Sequence, residues 1–300
     1  MNKSQIRVSI IKDITEAERL WNRFTSNKTI YDLWEFRYTF YQYFNYELFF
    51  YTYYIGDDLI GLIPLQYNSD EKYLESFGGE YMEENHIYLI DKRLSVEEMF
   101  DHIKQPCYLR FVSPDFDYIT NWKDREYKYV TQLKNVKDHN DFIERQFEGK
   151  TRQTYRRQIK KLLAEHDIQI HEQEFKNVDI LADYNIETFG EDSFLYIPEN
   201  RKVFKDLTQI QKIQPFVMSF YIGGSVKAVS LNFMYNGIFT YLNAGVKKQE
   251  VSNLGKYVIF KSIDKACELE ATVFDAGAES LGWKKEWHLT EVPIYTLHSI

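Results

Sequence analysis

The sequence predicts an α/β protein with a mixed α+β sheet, built from two tandem copies of one unit that runs β-α-α-β-β-β-α-β. Three observations predict it. A length of 300 residues suits two domains of about 150 residues each. Apolar and aromatic runs of strand character are joined by Gly-Asp-Asp, Gly-Gly and Asn-Gly, which is the turn chemistry of hairpins. The same order of elements returns in the second half although the residues hardly match, so the repeat is one of element order. The expected division is an N-terminal domain over 1–137 and a C-terminal domain over 138–300, the latter with a linker helix at its front.

In the first half, Ile6, Val8 and Ile10 alternate as a strand does. Thr15, followed by Glu16 and Glu18, opens a helix with Leu20, Trp21 and Phe24 on one side, and Asp32 opens a second that reaches about Phe44. Residues 48–55 and 59–67 form a hairpin, and 73–77 a third strand ending on Gly78-Gly79. Ser95 and Glu98 have the spacing of a capping box before a short helix, and 107–112 closes the copy as a strand. A continuous helix over 139–165 is expected between the halves.

The second half repeats the series. Ile168 and Ile170 mark a strand, Val178 to Phe189 a helix, and Pro198-Glu199 the first turn of another. Residues 216–222, 226–235 and 238–246 form a three-stranded meander with turns at Gly223-Gly224 and Asn236-Gly237. A polar loop leads into a helix over about 254–269, and a last strand carries Val273 and Phe274 into Asp275.

Composition narrows the function classes. The two cysteines, Cys107 and Cys267, lie far apart in apolar settings, which favours free thiols in a reducing compartment over a disulfide framework. The start has no apolar region long enough for a signal peptide, and no run approaches the roughly 18–20 apolar residues of a membrane span. A cytoplasmic protein without a membrane span is the expectation. The seven histidines show no HxH or HxxxH spacing, so no metal is predicted. No GxSxG elbow, P-loop or GxGxxG occurs, which sets aside hydrolase, nucleotide-hydrolase and dinucleotide readings. A net charge of −8 argues against a generic nucleic-acid binder, and DNA is not an expected partner.

Four stretches carry candidate chemistry. The run 150–161 holds Lys150, Arg152, Arg156, Arg157, Lys160 and Lys161 with no acid. Like charges four residues apart repel on a helix, so acids from another element, or phosphates, must compensate them. Asn253, Gly255 and Lys256 stand where a strand gives way to a helix. Free N–H groups and the positive end of the helix dipole attract an anion there, and glycine lets it approach. Asp275 and Glu279, read as lying at the carboxyl end of the last strand, would face the crevice where open α/β sheets bind ligands. They suit a general base or an amine receptor, with Lys284 as partner or anion clamp and Trp283 beside it. The competing reading has Asp275 capping the next turn and Trp283 and Trp287 in the core. Tyr241 and Asn243, on the preceding strand, are placed to point at the same cleft, the tyrosine as a proton donor to a leaving group.

The basic TRQTYRRQIKKL, the YLNAGV strand end, the SNLGK loop before a helix, and FDAGAE followed by WKKEW resemble the GNAT-type acyltransferase superfamily. Within it, the chain is similar to the tandem-domain subfamily, which includes the acetyltransferase-like domain of polysaccharide-synthesis loci and is related to the Fem-type aminoacyltransferases. DDLIGLIPL in the first half fits as well, so the resemblance covers nearly the whole chain. It implies an N-acyltransferase that moves an acyl group from acyl-CoA, acetyl-CoA foremost, to an amine of a small molecule, amino sugar or peptide. Catalytic roles then fall to Asp275, Glu279 and Tyr241. The donor falls to Asn253, Gly255, Lys256, Arg156 and Arg157, and the acceptor to Lys284, Asn243 and Trp283. The first domain has Gly78-Gly79 but no basic residue beside it where its anion loop would be, and reads as a degenerate copy. An alternative donor is an aminoacyl-tRNA serving a cell-wall precursor, as in the Fem-type relatives. A third reading is a non-catalytic interaction module with a vestigial site.

Overall fold

Alternation of apolar side chains and the hairpin turns between them organise both halves of the chain. The computed structural model describes residues 6–44, 46–114, 124–278 and 282–299. The chain forms two compact units, Met1–Lys128 with Val292–Ile300, and Tyr129–Glu291.

The first unit contains β1 (Ile6–Ile11), α1 (Ile14–Phe24), α2 (Trp34–Phe44), β2 (Glu47–Ile55), β3 (Asp58–Asn68), β4 (Tyr73–Ser76), β5 (Tyr88–Leu89), α3 (Val96–Asp101) and β6 (Cys107–Val112). Strand β7 (Asp124–Gln132) carries the chain onward. Two antiparallel pairings, β1 with β2 and β2 with β3, build the front of the sheet, and β4 lies antiparallel to β3 and parallel to β6. The period of two is visible in the packing. Phe49, Tyr51 and Tyr53 of β2 enter one apolar cluster, while Leu48 and Phe50 enter the cluster on the opposite face with Leu20 and Trp21. The α3 capping box is complete, with Glu98 N–H donating to Ser95 Oγ at 3.1 Å and Ser95 N–H to Glu98 at 3.0 Å. Asp13, rather than Thr15, caps α1 by accepting from Glu16 N–H at 2.9 Å. An arginine is the polar centre of this unit. Arg37, 1% exposed, donates to the carbonyls of Tyr31, Phe77 and Glu84 and to Asn85 Oδ1, at 2.6–2.8 Å.

The second unit holds α4 (His139–Gln146), α5 (Gly149–Glu165), β8 (Ile168–Glu172), α6 (Val178–Phe189), α7 (Pro198–Leu207), β9 (Pro215–Ile222), β10 (Ser225–Tyr235), β11 (Ile238–Val246), α8 (Leu254–Glu268), β12 (Val273–Ala278) and α9 (Trp283–Glu286). A final strand, β13 (Thr290–Ser299), pairs antiparallel with β6 in the first unit's sheet. Both halves therefore show the predicted order of elements. The expected single helix over 139–165 is two helices. Phe147 turns extended (φ −122°, ψ 152°) and Gly149 adopts φ +39°, which frees the Phe147 ring to pack against Phe142, Tyr155 and Trp287.

Within this unit the strands run in the order β12-β11-β10-β9-β8. Helices α5 and α8 cover one face through Leu162, Leu254, Tyr257 and Val258, packed on Met218, Phe220, Ala228 and Val246. Helix α6 covers the other, and it comes unusually close. A Cβ on Gly245 of β11 would lie 2.3 Å from the Leu181 carbonyl oxygen. Glycine inside a strand often marks such a backbone approach.

Candidate active site

The site is built by two irregularities in β11. Strands β11 and β12 are parallel but paired only from Ile238/Val273 to Thr240/Asp275, so beyond that point the sheet parts. The first residue of β11 past the parting is Tyr241. Next, the register with β10 steps past Leu242, because Leu231 faces Asn243 while Asn232 faces Tyr241. Such a bulge re-aims the side chains after it. Tyr241 consequently shares the α8 face with Ala244 and Val246, whereas Asn243 falls on the α6 face, where it accepts from Asn185 Nδ2 at 3.0 Å. Simple alternation would have put both on one face, and the bulge separates them.

Around the parting, Tyr241 stacks on Phe274 (centroids 6.0 Å, 29°) and meets the edge of Trp283 at 6.3 Å. Burial raises the Tyr241 phenol well above its ordinary range. No hydrogen bond among the described residues holds its hydroxyl. Across β10, the Asn232 amide donates to the Phe216 carbonyl (3.3 Å) and to Ser230 Oγ (3.1 Å), while its own Oδ1, fully buried, has no partner among the described residues.

Asp275 does not end its strand as expected. It sits in the middle of β12, opposite Thr240, 1% exposed, and its Oδ1 accepts from the Gly277 N–H at 2.9 Å. Both β strands continue past it, so it marks the point of parting. Glu279 lies outside the described residues. Lys284 is 4% exposed, donates to the Ala278 carbonyl, and lies 5.7 Å from the Tyr129 ring and 5.9 Å from the Trp283 ring. It thus ties α9 to the end of β12. The two tryptophans divide the competing readings between them: Trp287 is core, packed on Phe260 and Phe142, while half-buried Trp283 reaches Tyr241.

The mouth of α8 has the features an anion needs. Asn253 turns the chain with φ +64° and offers no side-chain cap, so the first helical N–H groups are left to other partners. Nothing lies within 4 Å of where a Cβ of Gly255 would be. The flanking cations are largely engaged. Lys256 donates to Gln158 at 3.1 Å and rests 5.2 Å from the Tyr155 ring. Lys247 pairs with Glu187 and Glu250, both at 3.4 Å, and its hydrogen bonds to Glu250 and Glu187 hold its ammonium above the ordinary range.

On α5, the predicted compensation comes from an acid of another element. Glu144 of α4 takes both Arg152 and Arg156. Arg157 and Lys160 are exposed with no ion pair among the described residues. The structure therefore brings Tyr241 and Trp283 together beside the parting, sets Asp275 opposite Thr240 at its last paired rung, and places Asn253 and Gly255 at the helix start that follows the same strand. It turns Asn243 to the opposite face and Arg156 onto α4. Reasoning from sequence missed Asn185 and Gly245. For Gly245 a signal existed in the glycine of YLNAGV, a small residue inside a strand.

Among the described residues, no group of three or more His, Cys, Asp or Glu side chains could hold a metal, and no helix is long and apolar enough to cross a membrane.

Residues 149–285, from the first residue of α5 into α9, match the family model described as an acetyltransferase (GNAT) domain. No curated protein matches the sequence. Among solved structures, the chain is similar to a conserved protein of unknown function from Bacteroides thetaiotaomicron (TM-score 0.57, 10% identity, 98% of this chain and 100% of that one). It is also similar to FemX (0.56, 9%, 97% of each chain). A tandem GNAT protein from the clavulanic acid biosynthesis pathway matches likewise (0.53, 7%, 98% of each). At such identities the likeness is one of fold. Residues 149–285 therefore match a GNAT domain, and the chain as a whole shares the fold of FemX and of a tandem GNAT protein.

Proposed function

We propose that the second unit catalyses transfer of an acyl group from acyl-CoA to a primary amine, and that the first unit is the degenerate copy that serves as scaffold. The observation that carries this reading is the parting of β11 from β12 after Thr240/Asp275, on the strand that leads into a helix start with no side-chain cap and open space at Gly255. When bound, the coenzyme supplies a thioester whose acyl carbon is open to attack by an amine.

The chain's own residues have distinct tasks. The N–H groups at the start of α8 hold the donor phosphates, and Gly255 leaves room for them. The edge of β11 beyond Thr240 has no β12 partner and offers backbone groups to the donor chain. Tyr241 stays protonated because burial opposes its ionisation. Full transfer of its proton to a thiolate, whose ordinary pKa is near ~8.5, would be uphill. Its task is therefore to donate a hydrogen bond to the charge that develops on the departing sulfur or acyl oxygen, in a place shielded from water. Asp275, at the parting, would orient the acceptor, whose ammonium gives one proton to solvent before the neutral amine attacks; as the C–N bond forms and the C–S bond breaks, the carboxylate takes the nitrogen's second proton and the coenzyme leaves as the thiolate.

Thermal shift with acetyl-CoA, longer acyl-CoAs and free CoA tests the donor. A ligand at 100 times its Kd stabilises by about 2.7 kcal/mol. Tyr241→Phe should keep this stabilisation and lose on the order of 10²-fold in kcat. Absence of any shift with every coenzyme A ester would sink the reading. The exposed Arg157 and Lys160 favour one second donor, an aminoacyl-tRNA. Binding that weakens steeply with salt would identify it.

A further inference from the structure

The first unit has a parting of its own. Strand β4 is antiparallel to β3 and parallel to β6, as β11 is antiparallel to β10 and parallel to β12. The parallel pairing is confined to one rung, Leu74 with Cys107, so β4 and β6 separate from Glu75 onward.

Side chains do not fill this gap. A cavity of about 10 Å³ lies in it, about the room that one water-sized group needs. Tyr73, Glu75 and Ser76 of β4 line it from one strand and Tyr108 and Arg110 of β6 from the other, and the exposed Glu80 completes the lining.

Two buried polar groups stand at this space. Glu75 is 6% exposed, and it accepts from Gln66 at 2.7 Å on one carboxyl oxygen and from Asn68 at 3.3 Å on the other. Each oxygen keeps a lone pair for a further donor. Ser76 is 8% exposed, and its hydroxyl has no hydrogen-bond partner among the described residues. A buried hydroxyl left unpaired is costly, and the cavity beside it is where a partner fits.

Charge and size say what that partner is. The lining carries two acids, Glu75 and Glu80, and its cation, Arg110, is paired with Glu126 of β7 at 3.8 Å. Strand β4 leads on to β5 and not to a helix start, so the anion-holding device of the second unit is not repeated here. Among the described residues no group of three or more His, Cys, Asp or Glu could hold a metal. The Tyr73 and Tyr108 rings, 5.5 Å apart at 67°, add aromatic walls of the kind that attract an organic cation.

We infer that the parting of β4 and β6 is a binding site for the terminal ammonium of a slender primary amine, with Glu75 as its counter-charge and the Ser76 hydroxyl as acceptor of one N–H. Only the head group enters, because the space admits one group the size of water, and the rest of the amine stays outside. The first unit thus lacks the donor site and keeps a cation site. This requires no coenzyme and no residue of the second unit, so it goes beyond the acyl-transfer reading.

Isothermal titration of the full-length chain at pH 8 tests this. That pH lies above the value of about 7 to which burial raises the Glu75 carboxyl. Methylammonium and propylammonium chloride should bind, and tetramethylammonium chloride, which is wider and has no N–H, at least about ten-fold more weakly. Glu75→Gln should weaken methylammonium by at least about ten-fold. Ser76→Ala and Glu80→Gln should each weaken it by several-fold, and Glu80, being exposed, can be changed without disturbing the core. Binding that survives Glu75→Gln and is lost in Asp275→Asn belongs to the second unit and overturns the inference. Potassium chloride binding as well as methylammonium overturns it too, since the site would then take an alkali ion. No binding of either alkylammonium means that the cavity holds water alone, and the inference falls. The expected amine pattern in a chain that no coenzyme A ester stabilises refutes the acyl-transfer reading and leaves this one standing.

Discussion

Gly245→Ala is the sharpest test of how the site is assembled. A Cβ at this position would lie 2.3 Å from the carbonyl oxygen of Leu181 and 2.9 Å from its carbonyl carbon and Cα. All three atoms are backbone, in a helix whose Leu181 is fully buried, so no flexible side chain can step aside. Relief requires that α6 move off β11 by about an ångström. A gap of 0.5–1 Å already forfeits about a quarter to a half of each dispersion contact along the seam. Overpacking of a well-filled core costs about 1–3 kcal/mol, occasionally more, and a backbone clash of this depth belongs at about 3 kcal/mol. At about 2–4 °C per kcal/mol the melting temperature should fall by roughly 6–12 °C. The same displacement stretches the 3.0 Å bond between Asn185 and Asn243, which adds to the loss. Urea denaturation followed by circular dichroism measures the loss. A variant within about 0.5 kcal/mol of wild type would refute the claim that the glycine exists for this contact.

Gly255→Ala should behave in the opposite way. Its Cβ meets no atom within 4 Å, and alanine is better than glycine in a helix by up to about 1 kcal/mol, so the melting temperature should hold or rise while stabilisation by CoA is lost. Retention of CoA-induced stabilisation would show that the α8 mouth does not hold the donor. In the first unit, burial raises the Glu75 carboxyl to about 7 despite hydrogen bonds from Gln66 and Asn68. A group with a raised folded-state pKa stabilises fully below its unfolded value, near 4.5, and that contribution is lost as pH rises through about 7. At 1.36 kcal/mol per pH unit the loss is at most about 3 kcal/mol. Glu75→Gln should therefore melt higher than wild type at pH 8 and not at pH 4.5. An equal difference at both pH values would contradict the assignment.

The element order was legible because it rests on local physics. Turn dipeptides such as Asn236-Gly237, the capping box at Ser95 and period-two alternation act over a few residues, and each appears in the fold as read. The helix break at Phe147–Gly149 was not legible. It is decided by where the Phe147 ring can be buried, among Phe142, Tyr155 and Trp287, and that pocket is made by residues up to 140 positions away. At the site, Tyr241, Trp283 and Asp275 could be picked out by residue type and spacing; in the fold Tyr241 meets Trp283, while Asp275 stands opposite Thr240.

By itself, the sequence determined that the chain is a tandem pair of mixed α/β units, and that Asn253 stands where the last meander strand of the second gives way to a helix. Tertiary structure decided which side of the sheet each side chain serves. One residue of slippage at Leu242 reverses the facing of everything after it, so Asn243 joins α6 and Ala244 joins α8. Strand alternation is a local rule, but the register that starts it is set by the neighbouring strand and by how closely the covering helices can pack.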